Sequence, residues 1–286
     1  MYHKEKSIQL KSSASALYNN LSVLRIAPRC LTYFTVVHAN VVNMVSASWD
    51  GLNYSHRQLQ SKEGNVATSS SLIMQAAWCV LPSRDLLVLT SQKGIQMYES
   101  DGSIMVYWHA LDTPETPTAK AVFARGIAAV REKYICVGVS SGSVLVFDVP
   151  SKGSNITLSE VLEEHKEAIT DMASECSGNL VLTYSNIHIT SCSSVKLWKG
   201  TVIAGYGTGQ IRLYEGVTGI LHAEVNAHAR WIYSLDIAPF TGLIEHMYNE
   251  CVTDTQICGA KFCDGDGYAF AVTGYDLSEI IRYTQA

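Results

Sequence analysis

Apolar residues along this chain recur in short runs that alternate with polar positions, and the runs come in pairs separated by a glycine turn. Four stretches follow this pattern: LLVLTSQKGIQMYES (86–100), KYICVGVSSGSVLVFDV (133–149), VIAGYGTGQIRLYE (202–215) and the looser AFAVTGYDLSEIIRYT (269–284). Runs with a period of two on either side of a short glycine turn predict antiparallel β-hairpins. Long helical periodicity is hard to find, so the chain is predicted to be all-β.

Three glycines, Gly205, Gly207 and Gly209, look at first like a phosphate-binding loop. In a dinucleotide-binding fold such a loop leads into a helix whose N-terminus holds the pyrophosphate. Here it leads into QIRLYE (210–215), which alternates like a half-exposed strand. We therefore predict a hairpin turn at Thr208-Gly209, where glycine supplies a positive φ, and no cofactor-binding residue.

The second run of each pair ends in an aromatic residue followed by an acid. The instances are Trp49-Asp50, Tyr98-Glu99, Phe147-Asp148 and Tyr214-Glu215. The first two intervals between these dipeptides are both 49 residues long. A fixed period of this size indicates a repeat architecture, and four short strands with their loops fit within it. Strands without intervening helices favour propeller blades over a helical solenoid.

These features resemble the WD-repeat β-propeller family. Trp49-Asp50 spells the family's dipeptide, and the other three pairs replace Trp with Tyr or Phe. His165 in EEHKEAITD and His228 in NAHARWIYSLD stand where the family has Gly-His, just before an inner strand. The resemblance implies a single propeller domain over residues 1–286, in which these histidines and dipeptides are structural. It also implies that the residues following each histidine lie on the rim of the central channel, which makes candidate partner-binding residues of Lys166, Glu167, Arg230 and Trp231.

The 49-residue period breaks twice. The interval from Phe147 to Tyr214 is 67 residues, and that from Tyr214 to Tyr283 is 69. Each is too long for one blade and too short for two. We therefore expect about seven blades, two of them truncated.

The truncated blades can be located. AITDMAS (168–174) and WIYSLDIAP (231–239) each predict an inner strand, but too few residues follow for a complete blade. We expect irregular structure around 175–195 and around 240–250. A splice variant, an incomplete gene model or naturally shortened blades would each explain this pattern.

Truncated blades have two consequences. Unpaired strand edges favour pairing between chains, so homo-oligomerisation is a hypothesis. A truncated isoform with impaired folding is the alternative. The early segment SIQLKSSASALYNN (7–20) has no partner nearby, and we predict that its strand pairs with the C-terminal blade (255–284) and closes the ring.

The composition argues against several classes of partner and site. The chain has 21 basic and 26 acidic residues, which argues against a broad nucleic-acid surface. No Cys pair has metal-ligand spacing, so no metal site is predicted. The N-terminus lacks the apolar core of a signal peptide, and the apolar stretch at 31–45 is too short to span a bilayer. We expect a cytoplasmic protein without an integral membrane segment, or one associated with vesicles through partners.

The remaining question is whether the ring carries chemistry. Asp171 and Asp236 lie near the ends of predicted inner strands, and two carboxylates at a channel could act as an acid-base pair. A propeller hydrolase is therefore the alternative function. No nucleophile motif G-x-S-x-G is present. We predict no catalytic residue and a non-enzymatic scaffold that binds protein partners.

Overall fold

The structure is a computed structural model, and it describes residues 1–61, 71–112, 122–163, 165–175, 181–185, 191–241, 251–252 and 254–285, with the backbone alone at 181–185. The regular secondary structure of these residues is entirely β-strand, apart from one 3-10 turn at Ala27–Arg29. The predicted all-β class is confirmed.

The strands follow the chain as antiparallel meanders. Two short strands open the chain: β1 (Tyr2–Lys4) and β2 (Ile8–Gln9). The first blade contains β3 (Ser22–Ile26), β4 (Leu31–His38), β5 (Val41–Ser48) and β6 (Tyr54–Gln60). The second contains β7 (Ile73–Leu81), β8 (Arg84–Ser91), β9 (Gly94–Glu99) and β10 (Met105–Ala110). The third contains β11 (Ala124–Val130), β12 (Tyr134–Val139), β13 (Ser143–Asp148) and β14 (Thr157–Glu163).

The second half of the chain is less regular. A sheet of two strands comes first, β15 (Ile169–Ser174) and β16 (Val181–Ser185). The next blade contains β17 (Cys192–Trp198), β18 (Thr201–Tyr206), β19 (Gln210–Glu215) and β20 (Leu221–Asn226). The C-terminal blade contains β21 (Ile257–Phe262), β22 (Ala269–Gly274) and β23 (Glu279–Gln285), and β1 and β2 both pair with β23.

The expected count of about seven blades is wrong, because the described residues form five complete blades. The sheet of β15 and β16 has only two strands, and residues 231–239 form no strand although the sequence predicts one. The two ranges expected to be irregular lie mostly outside the described residues. The residues not described in them are 176–180, 186–190 and 242–250. The irregular structure expected for those residues stays a prediction. For 181–185 and 192–195 the expectation is wrong, because these residues form β16 and the start of β17.

Residues 231–239 nevertheless run alongside the strands on either side. The N–H of Ile232 donates to Tyr206 O (3.2 Å), and the N–H of Ala260 donates to Ser234 Oγ (3.0 Å). At the far end of the segment, Trp198 Nε1 donates to Pro239 O (2.9 Å). Side chains make two of these bonds in place of a backbone ladder.

The core consists of apolar layers between neighbouring blades. Strand alternation places Ile95 and Met97 on one side of the second blade, and both are fully buried. They pack in one cluster with Ile135 and Phe147 of the third blade. The side chains that define each hairpin therefore also bind each blade to the next.

The N-terminal strands join the two ends of the chain. Tyr2 pairs with Gln285 and Ile8 pairs with Ile280, so both short strands form the outer edge of the C-terminal blade. Ile8 is fully buried, and the Tyr2 hydroxyl donates to the carbonyl of Gly267. The chain then crosses to β3, the inner strand of the first blade.

Candidate functional site

The two predicted histidines occupy equivalent places on one face of the ring. His165 follows β14, and its carbonyl lies against Gly142 in the turn between β12 and β13. His228 follows β20, and its N–H donates to the carbonyl of Gly209 in the turn between β18 and β19 (3.0 Å). Each histidine therefore marks a linker that passes over a glycine turn on its way to the channel. The imidazole of His228 stays local, since its Nδ1 accepts the N–H of Arg230 (3.1 Å).

The residues that follow the histidines lie at the surface of this face. Lys166, Glu167 and Arg230 are exposed, and 38% of Trp231 is exposed. The indole of Trp231 stacks on the ring of Tyr18 at 5.9 Å, and Tyr233 contacts the same ring at 4.9 Å. An aromatic cluster of Tyr18, Trp231 and Tyr233 thus lies at this mouth of the channel.

The cationic side chain of Arg125 packs against the aromatic cluster. The guanidinium of Arg125 lies 4.7 Å from the centre of the Tyr18 ring, and its Nη2 donates to Tyr18 O (3.3 Å). Burial raises the pKa of Tyr18 and lowers that of Arg125, and Asp171 partly offsets the second effect. The sequence reasoning missed Tyr18 and Arg125, because their contacts join residues more than a hundred positions apart.

Asn19, next to Tyr18, holds three parts of the ring together. Its Nδ2 donates to Asp171 Oδ2 (2.9 Å). Its Oδ1 accepts the hydroxyls of Ser194 (3.0 Å) and Ser234 (3.1 Å). Its backbone has a positive φ of 51°, a conformation that Asn adopts more readily than most residues. The channel end of the aromatic cluster is therefore fixed by side-chain hydrogen bonds.

The two channel carboxylates do not meet each other. Asp171 Oδ2 accepts the N–H of Val195 on the next inner strand (2.9 Å), in addition to Asn19. Asp236 accepts the N–H of Phe262 (2.8 Å) and the ammonium of Lys261 (2.6 Å). Each carboxylate therefore bonds one part of the ring to the next, and the acid-base pair of the hydrolase alternative gains no support.

A cavity lies at the other mouth of the channel. It has a volume of about 790 Å³ and lies where the inner strands end, with Trp198, Lys196 and Lys261 among its lining residues. Burial lowers the pKa of Lys196, and the charge of Asp171 works in the opposite direction. The two faces thus differ, one carrying the aromatic cluster and the other a cavity lined by three lysines, Lys196, Lys199 and Lys261.

Three of the four aromatic-acid dipeptides end a strand. Tyr98 and Phe147 are buried at the ends of β9 and β13, and Tyr214 is half-buried at the end of β19. Trp49 lies instead in the turn after β5 and is 64% exposed.

The acids of these dipeptides make local contacts. Glu99 pairs with Arg84 (2.5 Å), and Asp148 pairs with Lys133. Glu215 accepts the Thr218 hydroxyl, and Asp50 accepts the Ser48 hydroxyl (2.5 Å) and the N–H of Leu52 (3.0 Å). These contacts stabilise strands and turns.

The described part of the chain has neither a candidate metal centre nor a membrane-spanning helix. Its His, Cys, Asp and Glu side chains form no group of three that could hold a metal ion. None of its helices has the length and apolar character to cross a membrane.

Comparison with known proteins identifies the family. The WDR54 family model matches residues 1–183, 177–244 and 239–286. The mouse WD repeat-containing protein 54 is 48% identical to this chain, and the alignment covers 99% of each. The human protein of the same name is also 48% identical and the rat WD repeat domain 54 is 47% identical, with the same coverage. This chain belongs to the WDR54 family.

The WDR54 relatives are longer than this chain within the aligned region. The alignment with the mouse protein spans 333 positions, whereas this chain has 286 residues, so the relative carries residues that the chain lacks. The first two matched segments overlap at 177–183, in the region of the sheet of β15 and β16. The last two overlap at 239–244, at the end of the segment 231–239. The WDR54-family relatives therefore carry additional residues, and the joins between matched segments fall beside the described two-stranded sheet and the segment 231–239.

A solved structure supports the fold of this WDR54-family chain. A chain of the crystal structure of the mitotic checkpoint complex superposes with a TM-score of 0.73 over 99% of this chain and 91% of its own. Its sequence identity of 14% means that the likeness shows the propeller fold alone.

Proposed function

We propose that this WDR54-family protein is a non-enzymatic scaffold, and that a protein partner binds at the aromatic cluster of Tyr18, Trp231 and Tyr233. The observation that carries the proposal is the partly exposed indole of Trp231, stacked on Tyr18 at the channel mouth. Trp, Tyr and Arg are the residues most often found at the centres of binding surfaces. Here Arg230 is exposed directly beside Trp231.

The cluster is also pre-organised, which lowers the entropy cost of binding. Asn19 holds the backbone next to Tyr18 through bonds to Asp171, Ser194 and Ser234. Arg125 supports the Tyr18 ring from the channel side. A partner would therefore meet aromatic rings that are already in place.

Proximity labelling in cells tests this proposal with matched variants. Trp231→Ala combined with Arg230→Glu should remove the main labelled partners of the parent chain. Phe240→Ala is the control, because it removes another exposed aromatic ring, beside Gly265 in the turn after β21. A labelled set unchanged by the first variant, in a chain that unfolds like the parent, would overturn the assignment of the site.

Self-association is supported by a second observation. Strands β9 and β13 are almost entirely buried, whereas every position of β19 is half-buried and every position of β20 is exposed. The described neighbours of this blade are the two-stranded sheet and the segment 231–239. Leu221 and Val225 on β20 are about half exposed, as is Val161 on the outer strand β14 of the third blade. We include homo-oligomerisation through this edge in the proposal.

Light scattering after size-exclusion chromatography measures the oligomeric state. We expect a mass above the 31.3 kDa of one chain at high concentration. Leu221→Glu with Val225→Glu should return it to one chain, and the exposed Val217→Glu in the adjacent turn is the control. A parent chain that stays monomeric at all concentrations removes this part of the proposal.

Other parts of the sequence interpretation remain predictions. These are the cytoplasmic or vesicle-associated localisation, the absence of nucleic-acid partners and the absence of catalysis. The hydrolase alternative has no supporting observation, because both channel carboxylates are engaged in bonds between neighbouring parts of the ring.

A further inference from the structure

The cavity at the channel mouth opposite the aromatic cluster has the size of a small-molecule site, about 790 Å³. Its lining includes Pro82, Arg131 and Lys199, which lie in turns between the first and second strands of their blades. Gly142 and Gly209, over which the histidine linkers pass, lie in turns at the opposite ends of the second strands. This channel cavity is therefore separate from the aromatic cluster proposed to bind a protein partner.

Most of the residues that line the channel cavity are apolar, and two of them are Trp78 and Trp198. The indole N–H of each already donates to a backbone carbonyl. Trp78 Nε1 donates to Ser100 O (3.0 Å) and Trp198 Nε1 donates to Pro239 O (2.9 Å). The two indoles therefore require no acceptor from a ligand, and the lining favours a ligand with an apolar body.

The charged residues that line the channel cavity are mostly basic. They are Arg131, Lys196, Lys199, Lys261 and Glu175. Asp236 neutralises Lys261, because its carboxylate lies 2.6 Å from the Lys261 ammonium. The other three cations form no ion pair with any described carboxylate. Glu175 offsets at most one of them, so the lining carries an excess of positive charge.

Lys196 lies on the inner strand β17, three residues before Lys199 in the turn, and so lies deeper in the channel. It is half-buried, and among the described residues its Nζ donates to the carbonyl of Val195 alone (3.0 Å). Two of its three N–H groups are thus left for water or a ligand. Burial lowers the pKa of Lys196, and Lys261 lowers it further, against the opposing charges of Asp171 and Asp236. An anion beside Lys196 would offset the repulsion between the two lysines.

Lys199 and Arg131 occupy matching positions at the rim of the channel cavity. Each is the first residue after an inner strand, each has a positive φ (46° and 52°), and each is exposed. The Lys199 ammonium lies 4.5 Å from the centre of the Trp198 ring, so this charge lies against an apolar wall. Exposed cations at the rim attract anions toward the cavity and repel cations.

We propose that the channel cavity binds an amphiphilic anion, a small molecule with an apolar body and one carboxylate or phosphate group. The anionic group pairs with Lys196, and Lys199 and Arg131 add attraction from the rim. The apolar body packs against the indoles and the aliphatic side chains of the lining. An alkyl carboxylate and an alkyl phosphate both have this chemistry. The ligand is a separate occupant from the protein partner of the aromatic cluster, and either proposal can fail alone.

Titration calorimetry on the full chain tests the proposal with a matched series of probes. Octanoate carries an anionic group, octan-1-ol a neutral group and octylamine a cationic group on the same apolar body. We expect octanoate to bind at least about tenfold more tightly than octan-1-ol, since a charge-assisted contact is worth about that factor, and octylamine to bind more weakly than either. Acetate lacks the apolar body and should bind at least about a hundredfold more weakly than octanoate. Octyl phosphate distinguishes the sources, because the tighter of octanoate and octyl phosphate identifies the anionic group of the ligand.

Variants assign the charges. Lys196→Met should weaken octanoate binding at least about tenfold and leave octan-1-ol binding within about twofold, which a loss of structure would not do. Lys93→Met is the control, because Lys93 is an exposed lysine in the turn between β8 and β9, on the opposite face. Arg131→Asn with Lys199→Asn uses a residue that tolerates positive φ, and should reduce the preference for octanoate over octan-1-ol at least about threefold.

If Lys196→Met does not fold, the exposed double variant of Arg131 and Lys199 decides, and an unchanged preference for octanoate in it overturns the proposal. Equal weakening by Lys93→Met and Lys196→Met would also overturn it. The same holds for equal binding of octanoate, octan-1-ol and octylamine, for acetate binding as tightly as octanoate, and for a folded parent chain that binds neither octanoate nor octyl phosphate.

Discussion

The backbone carbonyl oxygen of His228 lies so close to Gly209 that a β-carbon on Gly209 would stand 1.9 Å from it. The carbonyl of His165 has the same relation to Gly142, at 2.1 Å. Both glycines also have positive φ, of 86° and 95°. In each case the linker that carries the histidine runs directly over the hairpin turn, and only glycine leaves room for it.

Gly209→Ala should therefore destabilise the protein by about 3 kcal/mol, through both the left-handed backbone and the displaced linker. Gly219→Ala is the matched control, because Gly219 also has positive φ (70°) but nothing lies within 4 Å of its would-be β-carbon. That control should lose about 1 kcal/mol. Urea unfolding measures both values, and equal losses would contradict a role for the His228 contact.

The Asp171 carboxylate should matter for stability rather than for chemistry. Asp171→Ala leaves the N–H of Val195 and the amide of Asn19 without their acceptor, which we expect to cost about 3 kcal/mol. Asp171→Asn retains one oxygen acceptor and should lose about 1 kcal/mol. Equilibrium unfolding of the two variants measures these losses. Equal effects of the two substitutions would show that the acceptor is not the reason.

The N-terminal strands should contribute to stability by closing the ring. Deletion of residues 1–18 removes β1, β2 and the Tyr18 ring, and should lower the melting temperature markedly. Ile8→Ala isolates the buried contact and should cost about 3 kcal/mol, as for other buried aliphatic side chains. Gln9→Ala, on the exposed side of the same strand, should have little effect. An unchanged melting temperature in the deletion variant would contradict closure.

Stability should fall as the pH decreases through the range in which histidine titrates. Burial lowers the pKa of His109, which lies at an edge of the Phe147 ring, and Asp112 offsets this only in part. Because the folded-state pKa lies below the ordinary value near 6.5, protonation favours the unfolded chain. The contribution is intact above about pH 6.5 and is lost as the pH falls toward the lower folded-state pKa.

His109→Gln removes this titration. The free energy of unfolding of the variant should therefore depend less on pH than that of the parent between about pH 5 and 7.5. The remaining dependence includes His56, whose pKa is also lowered by burial and by Lys11. Parallel curves for the two chains would show that His109 is not the source.

The hairpins could be predicted from sequence, because alternation and turn glycines are local properties. The pairs 84–99, 134–148 and 201–215 follow from period-two runs around Gly94, Gly142 and Gly209. The burial of Phe147 and Tyr98 agrees with the same pattern, because a neighbouring blade covers an apolar ring near the end of a strand. Trp49 shows the limit of such a pattern, because the same dipeptide one residue beyond its strand is exposed.

The sequence alone determined the hairpins, the repeat and the family. Only the tertiary structure decided how many blades are complete and which distant side chains meet at the axis. Tyr18 reaches Trp231, and Arg282 reaches the Trp49 carbonyl, across more than two hundred residues of chain. The physical reason is that hairpin periodicity specifies contacts within a blade, whereas ring closure specifies which distant blades become neighbours.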